Sequence, residues 1–291
     1  MNHGIIDLHI HSNYSDGKRS LEYLKDKVHE NNVTVVSLTE HYTLSSYRKF
    51  QKIVGKSVEV LPGIELGSSL LNLGLSKNHV CHILAYFPNT KIYAILDQYE
   101  LSRKKCVTRT IELLKKEGVD ISYSKVLKTA RNPESIGRFD IAIALCRMGY
   151  AKTPAKAYSD FFDISSHIYI DREKMEIETL IKSLLSCGGV PVIAHPKTLK
   201  LNESDFIEFI KTLKSYGLQG IEAYNAHNSE EQRAFYLGIC EEFDLIPTIG
   251  SDYHGRKGDE VDIGTGINNN LSISDYSIVQ NLKNRHKQLF D

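Results

Sequence analysis

The chain has 291 residues, with 36 basic against 36 acidic side chains, 41% hydrophobic residues and 12 histidines. That length can bury a large core as one α/β barrel or as one domain carrying an insertion. The balanced charge argues against a surface that coats nucleic acid, and no window approaches the roughly 18 uninterrupted apolar residues of a membrane span. From Met1 the chain passes through His3 into Ile5-Ile6-Asp7-Leu8, with neither the apolar region nor the cleavage site of a signal peptide. Cys81, Cys106, Cys146, Cys187 and Cys240 are scattered and form no C-x-x-C pair. Disulfides and thiolate zinc are therefore not expected, and a reducing, cytoplasmic setting is.

In chain order, Ile5 to Ile10 reads as a strand, and Ser20 caps a helix through Val28. Val33 to Leu38 is a nearly continuous apolar run, as in a buried parallel strand. A helical stretch near Ser45 to Val54 follows, then strands at Val58 to Leu61 and Val80 to Tyr86. The alternation then stops. Ile92, Ile95, Leu96, Tyr99, Val107, Ile111 and Leu114 sit at mostly helical spacing and end at Gly118. Further helical signals lie at Ser124 to Ala130, Phe139 to Met148 and Pro154 to Phe162. The stretch is too long for one crossover, so residues 90–171 read as a helical insertion, flanked by a barrel made of 1–89 and 172–291. Helices at Glu176 to Ser186, Ser204 to Ser215 and Ser229 to Phe243 then alternate with strands at Val190 to Ala194, Gly220 to Tyr224 and Leu245 to Ile249. About seven βα units suggest an α/β barrel whose active site lies at the C-terminal strand ends.

Those ends carry the polar residues that a buried strand should avoid. Asp7, His9 and His11 alternate along the first strand and point to one face. Asp16 follows in the loop. Later ends carry Glu40-His41, Glu65, His82, His195, Glu222, and Asp252 with His254. A lone strand-end histidine is commonly a hydrogen-bonded core residue. The set is different, because burying so many ionisable groups without metal leaves unpaired charges at roughly several kcal/mol each. Imidazoles and carboxylates converging from separate strands suit borderline divalent metals.

These residues stand in motifs that resemble the polymerase and histidinol phosphatase (PHP) family of metal-dependent phosphoesterases. The matching pieces are Asp7-Leu8-His9-Ile10-His11-Ser12 with Ser15-Asp16-Gly17, Leu38-Thr39-Glu40-His41, Pro62-Gly63-Ile64-Glu65, His82-Ile83-Leu84-Ala85-Tyr86, Ala194-His195-Pro196 and Gly250-Ser251-Asp252-Tyr253-His254-Gly255. The helical insertion and Gly137-Arg138 are similar to the branch that removes the 3′-phosphate from nucleoside 3′,5′-bisphosphates, some members of which trim short RNA from the 5′ end. The resemblance implies a distorted seven-stranded TIM-like barrel and two to three divalent ions (Mn, Fe or Zn, with Mn favoured for activity). It implies that His9, His11 and Asp252 bind the first, that Glu65 bridges first and second, that His82 and His195 complete the second, and that Asp16, His41 and His254 hold the third. Glu65, His9, His11 and Asp252 would then be the catalytic core, while Arg138 and His227 are candidate contacts to substrate phosphate.

Two departures from the branch stand out. It usually reads Thr-Asp-His-Asp where this chain has Thr39-Glu40-His41-Tyr42, and Gly-Arg-Pro-His where this chain has Gly137-Arg138-Phe139-Asp140. Glu222 reads as an acid supporting a ligand, and His79 as a weak ligand candidate. His3, His29, His167 and His286 read as solvated, and Arg103 and Arg109 as surface arginines of an insertion that caps the site. The expected partner is a small phosphorylated substrate, a nucleotide, with no stable nucleic-acid complex and no membrane. Alternatives are a histidinol-phosphate or other small-molecule phosphatase, a cyclic phosphodiesterase, and a non-catalytic metal-binding module partnering a polymerase or RNA.

Overall fold

A computed structural model describes residues 4–76, 80–130, 136–163 and 165–291. The chain divides into two compact units, Met1–Tyr93 with Met175–Asp291, and Ala94–Lys174.

The first unit is a mixed α/β domain. Strands β1 (Ile5–Ile10), β2 (Val33–Leu38) and β3 (Glu59–Val60) alternate with helices α1 (Leu21–Glu30) and α2 (Tyr47–Ile53). Strands β4 (Gly63–Ser69) and β5 (Val80–Tyr86) come next, before the chain enters the second unit. After it come α3 (Ile177–Ser186), β6 (Val190–Ile193), α4 (Glu203–Tyr216), β7 (Gly220–Asn225), α5 (Glu230–Glu242), β8 (Ile246–Gly250) and α6 (Ser277–Phe290). The helix starts are set locally: Ser20 accepts from Tyr23 N, Asn202 from Asp205 N, and Ser229 with Gln232 forms a capping box. Ile6, Leu8 and Ile10 of β1 pack with Val36, Leu38 and Ile249 in one buried core.

The strands form two sheets, β1-β2-β3 and β4-β5-β6-β7-β8, rather than the expected closed seven-stranded barrel. Two features of the chain account for this. The strand expected at Val58 to Leu61 is reduced to Glu59–Val60, which pairs with β2, while Glu65 belongs to an unexpected further strand, Gly63–Ser69, that starts the other sheet. Residues 70–79 then leave too short a link for a crossover helix, and a parallel return needs about a dozen residues or more. Strand β5 therefore runs antiparallel to both β4 and β6. Among the described residues the sheets are joined at isolated bridges, Ile10 to Tyr253 and His41 to Glu65. Helix α6 has no counterpart in the sequence reading, although Ile278, Val279 and Leu282 mark its buried face.

The second unit is helical. Val107, Ile111 and Leu114 of the long helix Ile92–Lys116 pack with Val126, Ile141, Leu145 and Phe162 into a separate core. Among the described residues three shorter helices, Tyr123–Leu127, Arg138–Arg147 and Pro154–Phe162, accompany it, the last started by Thr153 and Pro154. Among the described residues no helix is long and apolar enough to cross a membrane.

Candidate metal centre

The first unit gathers ionisable side chains where the two sheets meet. His9 lies in β1 and His11 one residue beyond it, so their alternation puts both rings on one face. His41 and Glu65 form one of the isolated bridges, and Asp252 precedes Tyr253, the partner in the other. His195 and His254 follow β6 and β8, whereas His82 lies near the start of β5. Because β5 is antiparallel to both β4 and β6, its beginning lies at the end where those neighbours finish. The site is thus not made only of C-terminal strand ends. Three of its turns adopt positive φ at non-glycine residues, Tyr42 (58°), His195 (27°) and Asp252 (58°). Such backbone costs about 1–3 kcal/mol each and clusters at functional sites.

The donor atoms are spaced for cations. His9 Nε2 and His11 Nε2 are 3.1 Å apart, and Asp252 Oδ1 is 3.3 Å from each. Glu65 Oε2 lies 3.4 Å from the first and 3.1 Å from the second. Atoms bound at about 2.1 Å to one ion stand about 3.0 to 3.4 Å apart in octahedral or tetrahedral geometry. The other Glu65 oxygen, Oε1, faces His82 Nδ1 at 2.9 Å and His195 Nε2 at 3.0 Å. Asp16 Oδ1 lies 3.1 Å from His254 Nε2 and 3.8 Å from both His41 Nε2 and His11 Nδ1. His9, His11 and Asp252 form one group able to hold an ion, His41, Glu65 and His82 another, and His11, Asp16, His41 and His254 a third. Glu65 Oε2, Asp16 Oδ1 and His41 Nδ1 are buried yet make no hydrogen bond. Buried polar atoms are rarely left so, and bound cations would satisfy all three. The residues fit divalent metals.

Charge coupling is strong. Burial opposes ionisation of Glu65, but His41, His82, His9 and His11 outweigh it and hold the carboxyl well below its ordinary range. Burial likewise opposes a charge on His11, yet the carboxylates of Asp252 and Glu65 beside it lift it to about 10. For His41 burial wins, and with His11 and His82 nearby its value falls to about 3.

A second layer of contacts holds these groups in place. Glu40 Oε1 and Oε2 accept from Ser12 N at 3.2 and 3.1 Å, and the Ser12 and Ser15 hydroxyls donate to the same carboxylate. The larger acid thus pins the loop leading to Asp16. Tyr42 stacks on His41, and its hydroxyl accepts from Gly67 N. Asp7, wholly buried, accepts from Ser251 N at 2.9 Å and Gly264 N at 2.7 Å, tying β1 to the turn that carries Asp252. His195 Nδ1 meets Thr198 Oγ1 at 3.1 Å and His254 Nδ1 meets the Asp252 carbonyl at 2.7 Å, which leaves Nε2 of each ring facing the centre. Asp7 and Glu40 stand out in the sequence but what they bind does not, because their partners are backbone amides and distant hydroxyls, and Thr198 escapes a sequence reading altogether.

Known proteins share this architecture. Residues 7–176 match the family described as the PHP domain, more than half of the chain. The chain belongs to the PHP-domain family. A 5′-3′ exoribonuclease of Haemophilus influenzae is 25% identical over 250 residues, 85% of this chain and 89% of its own length. A 3′,5′-nucleoside bisphosphate phosphatase of Chromobacterium violaceum is 23% identical over 89% of this chain and 90% of its own. A phosphoribosyl 1,2-cyclic phosphate 1,2-diphosphodiesterase of Eggerthella lenta is 24% identical, covering 87% and 95%. The solved structure of a Bifidobacterium adolescentis protein described as a metal-dependent phosphoesterase superposes with a TM-score of 0.73, at 25% identity and 96% coverage of both chains. This PHP protein is a metal-dependent phosphoric ester hydrolase, not a non-catalytic module.

The PHP protein uses its other polar residues variously. Arg138 opens the helix Arg138–Arg147, with its guanidinium 4.8 Å from the Tyr169 ring centre and Nη1 3.5 Å from the Ile170 carbonyl. Asp140 caps that helix by accepting from Gly137 N at 2.9 Å, and Phe139 packs on Tyr158. His227 is exposed, and its carbonyl accepts from Lys197 Nζ at 2.7 Å. Arg103 pairs with Glu100, while Arg109 is exposed beside a cavity of about 510 Å³ within the second unit. His167 is exposed and pairs with Glu117; His29, also exposed, meets the Val54 carbonyl. His286 departs from the solvated reading, being half-buried with Phe87 and Phe290 against its ring. His3 and His79 lie outside the described residues.

Proposed function

We propose that this PHP phosphoesterase removes the 3′-phosphate of nucleoside 3′,5′-bisphosphates, with short RNA 5′ ends as a further substrate. The observation that carries the chemistry is the two-sided Glu65 carboxylate, one oxygen toward His9 and His11 and the other toward His82 and His195. Support for the substrate comes from the relatives of Haemophilus influenzae and Chromobacterium violaceum, named for RNA and for a nucleoside bisphosphate.

In this reading His9, His11 and Asp252 would hold a first ion, Glu65 would serve both it and a second held by His82 and His195, and Asp16, His41 and His254 would hold a third. Divalent ions bound there, manganese favoured over iron and zinc for activity, would supply Lewis acidity toward phosphoryl oxygens and a more acidic water. Glu65 stays anionic at working pH and shares its charge between two positions. Asp252 screens the histidine pair, and Arg138 and His227 bind substrate phosphate, with segment 90–171 selecting the substrate.

Purified protein should carry two to three equivalents of transition metal by elemental analysis. Fewer than one after reconstitution with manganese would overturn the multinuclear reading. His11 keeps its proton up to about pH 10 in the ion-free protein, so an incoming ion must displace it. Affinity should therefore rise with pH through neutrality, and calorimetry in buffers of differing ionisation enthalpy should register proton release.

With manganese, a phosphate-release panel should rank a nucleoside 3′,5′-bisphosphate above histidinol phosphate and aryl phosphates. Histidinol phosphate ranking first would overturn the substrate assignment. A cyclic phosphodiester belongs in the panel as a second reading, because the Eggerthella lenta relative is 24% identical and is covered over 95% of its length. Charge-assisted bonds to phosphate contribute about 1.5 to 3 kcal/mol. Arg138→Ala should thus lower kcat/KM on the bisphosphate roughly ten- to a hundredfold, and much less on an aryl phosphate. Equal losses on both would remove Arg138 from the second-phosphate role.

A further inference from the structure

Glu222 sits in β7 with its side chain wholly buried. It offers no oxygen to the three groups that could hold ions. Its two oxygens nevertheless reach two different parts of the centre. Oε1 meets His9 Nδ1 at 2.8 Å, and Oε2 accepts from the backbone N–H of His195 at 2.6 Å and from Asn225 Nδ2 at 3.2 Å. His9 belongs to the first donor group, and His195 faces the second oxygen of Glu65. One buried carboxylate thus touches a ring on one side of the Glu65 bridge and a backbone turn on the other.

Each contact has a defined consequence. A carboxylate beside Nδ1 keeps a proton on that nitrogen and leaves Nε2 as the lone-pair donor, which is the nitrogen facing His11, Glu65 and Asp252. The His195 amide belongs to a residue at φ 27°, a region that L residues rarely hold without outside support. The charge-assisted bond to Oε2 is that support, and it sets where the ring leaves the backbone.

We propose that Glu222 is a positioning residue that couples the first two ion positions, fixing the His9 tautomer and the strained His195 turn with one charge. This rests on the metal-centre reading above and adds to it that loading at the two positions is linked through a residue that binds neither ion. Glutamine at 222 has one acceptor oxygen where three donors converge, and its amide N–H₂ opposes those that the oxygen does not reach. Glu222→Gln should therefore weaken manganese binding at the first and second positions together. Loss of such supporting contacts lowers affinity roughly 10- to 100-fold.

The test is chelator competition with manganese on the full chain, wild type beside Glu222→Gln, with circular dichroism of the ion-free proteins for the fold. Parallel weakening of two equivalents in a folded variant is the expected result. Unchanged affinity, or loss at one equivalent only, overturns the coupling. Failure of the wild type to bind manganese would instead overturn the metal reading itself. Should the variant not fold, histidine-selective ¹⁵N spectra of zinc-loaded wild type decide the matter. His9 should carry its proton on Nδ1, and a His9 protonated on Nε2 would refute the proposal.

Discussion

Glu65→Gln is expected to leave a folded protein with hydrolysis reduced roughly a thousandfold, corresponding to about 4 kcal/mol of lost transition-state stabilisation. The size follows from its position. Oε2 lies within 3.4 Å of His9 and His11, and Oε1 lies within 3.0 Å of His82 and His195. An amide keeps one acceptor oxygen, replaces the other by an N–H₂ donor aimed at imidazoles, and carries no charge to divide between two cations. Because Glu65 is almost completely buried, water cannot replace the lost oxygen. The variant should also bind fewer equivalents of manganese. Near-full turnover at saturating manganese would show that Glu65 bridges nothing.

The centre was legible in the sequence where polar residues interrupt apolar strands. His9-x-His11 declares one face of β1 by alternation alone, and Glu40-His41 and Asp252-Tyr253-His254 stand after runs that otherwise belong to a core. The geometry behind these residues was not legible. Pro62-Gly63 looks like a turn ending one strand, and nothing in side-chain pattern says that the next strand joins a different sheet. Strand direction is equally silent, because alternation is the same whichever way a strand runs. The nominal barrel order therefore misplaced His82, which reaches the centre from the beginning of an antiparallel strand. Supporting acids pose the same problem, since Asp7, Glu40 and Glu222 act on backbone amides that any residue carries. The departure at Phe139-Asp140 also becomes intelligible only in space, where Asp140 serves the helix start.

Gly250→Ala is expected to damage the centre as severely as losing a ligand, although it alters none. A Cβ at this last residue of β8 would stand 2.2 Å from His9 Cβ, 2.3 Å from Glu222 Oε1 and 3.1 Å from His9 N. Neither neighbour can yield cheaply. His9 is wholly buried, and its carbonyl accepts from Asp252 N at 2.9 Å; Glu222 is fixed by His9, His195 and Asn225. Overpacking of this kind costs about 1–3 kcal/mol of stability, and an active group displaced by about 1 Å costs on the order of a hundredfold in rate. The added methyl group should push β1 and β8 apart where Asp252 and His9 face each other, so loss of manganese affinity should accompany loss of rate. Gly238→Ala supplies the comparison. It lies within α5 with open space around the new methyl group, and should leave rate and affinity unchanged while raising stability by about 0.4–1 kcal/mol. Melting curves of the ion-free proteins and kcat/KM of the manganese-loaded ones separate the outcomes. A Gly250→Ala protein with wild-type rate would mean that β1 and β8 lie farther apart at His9 than the structure places them.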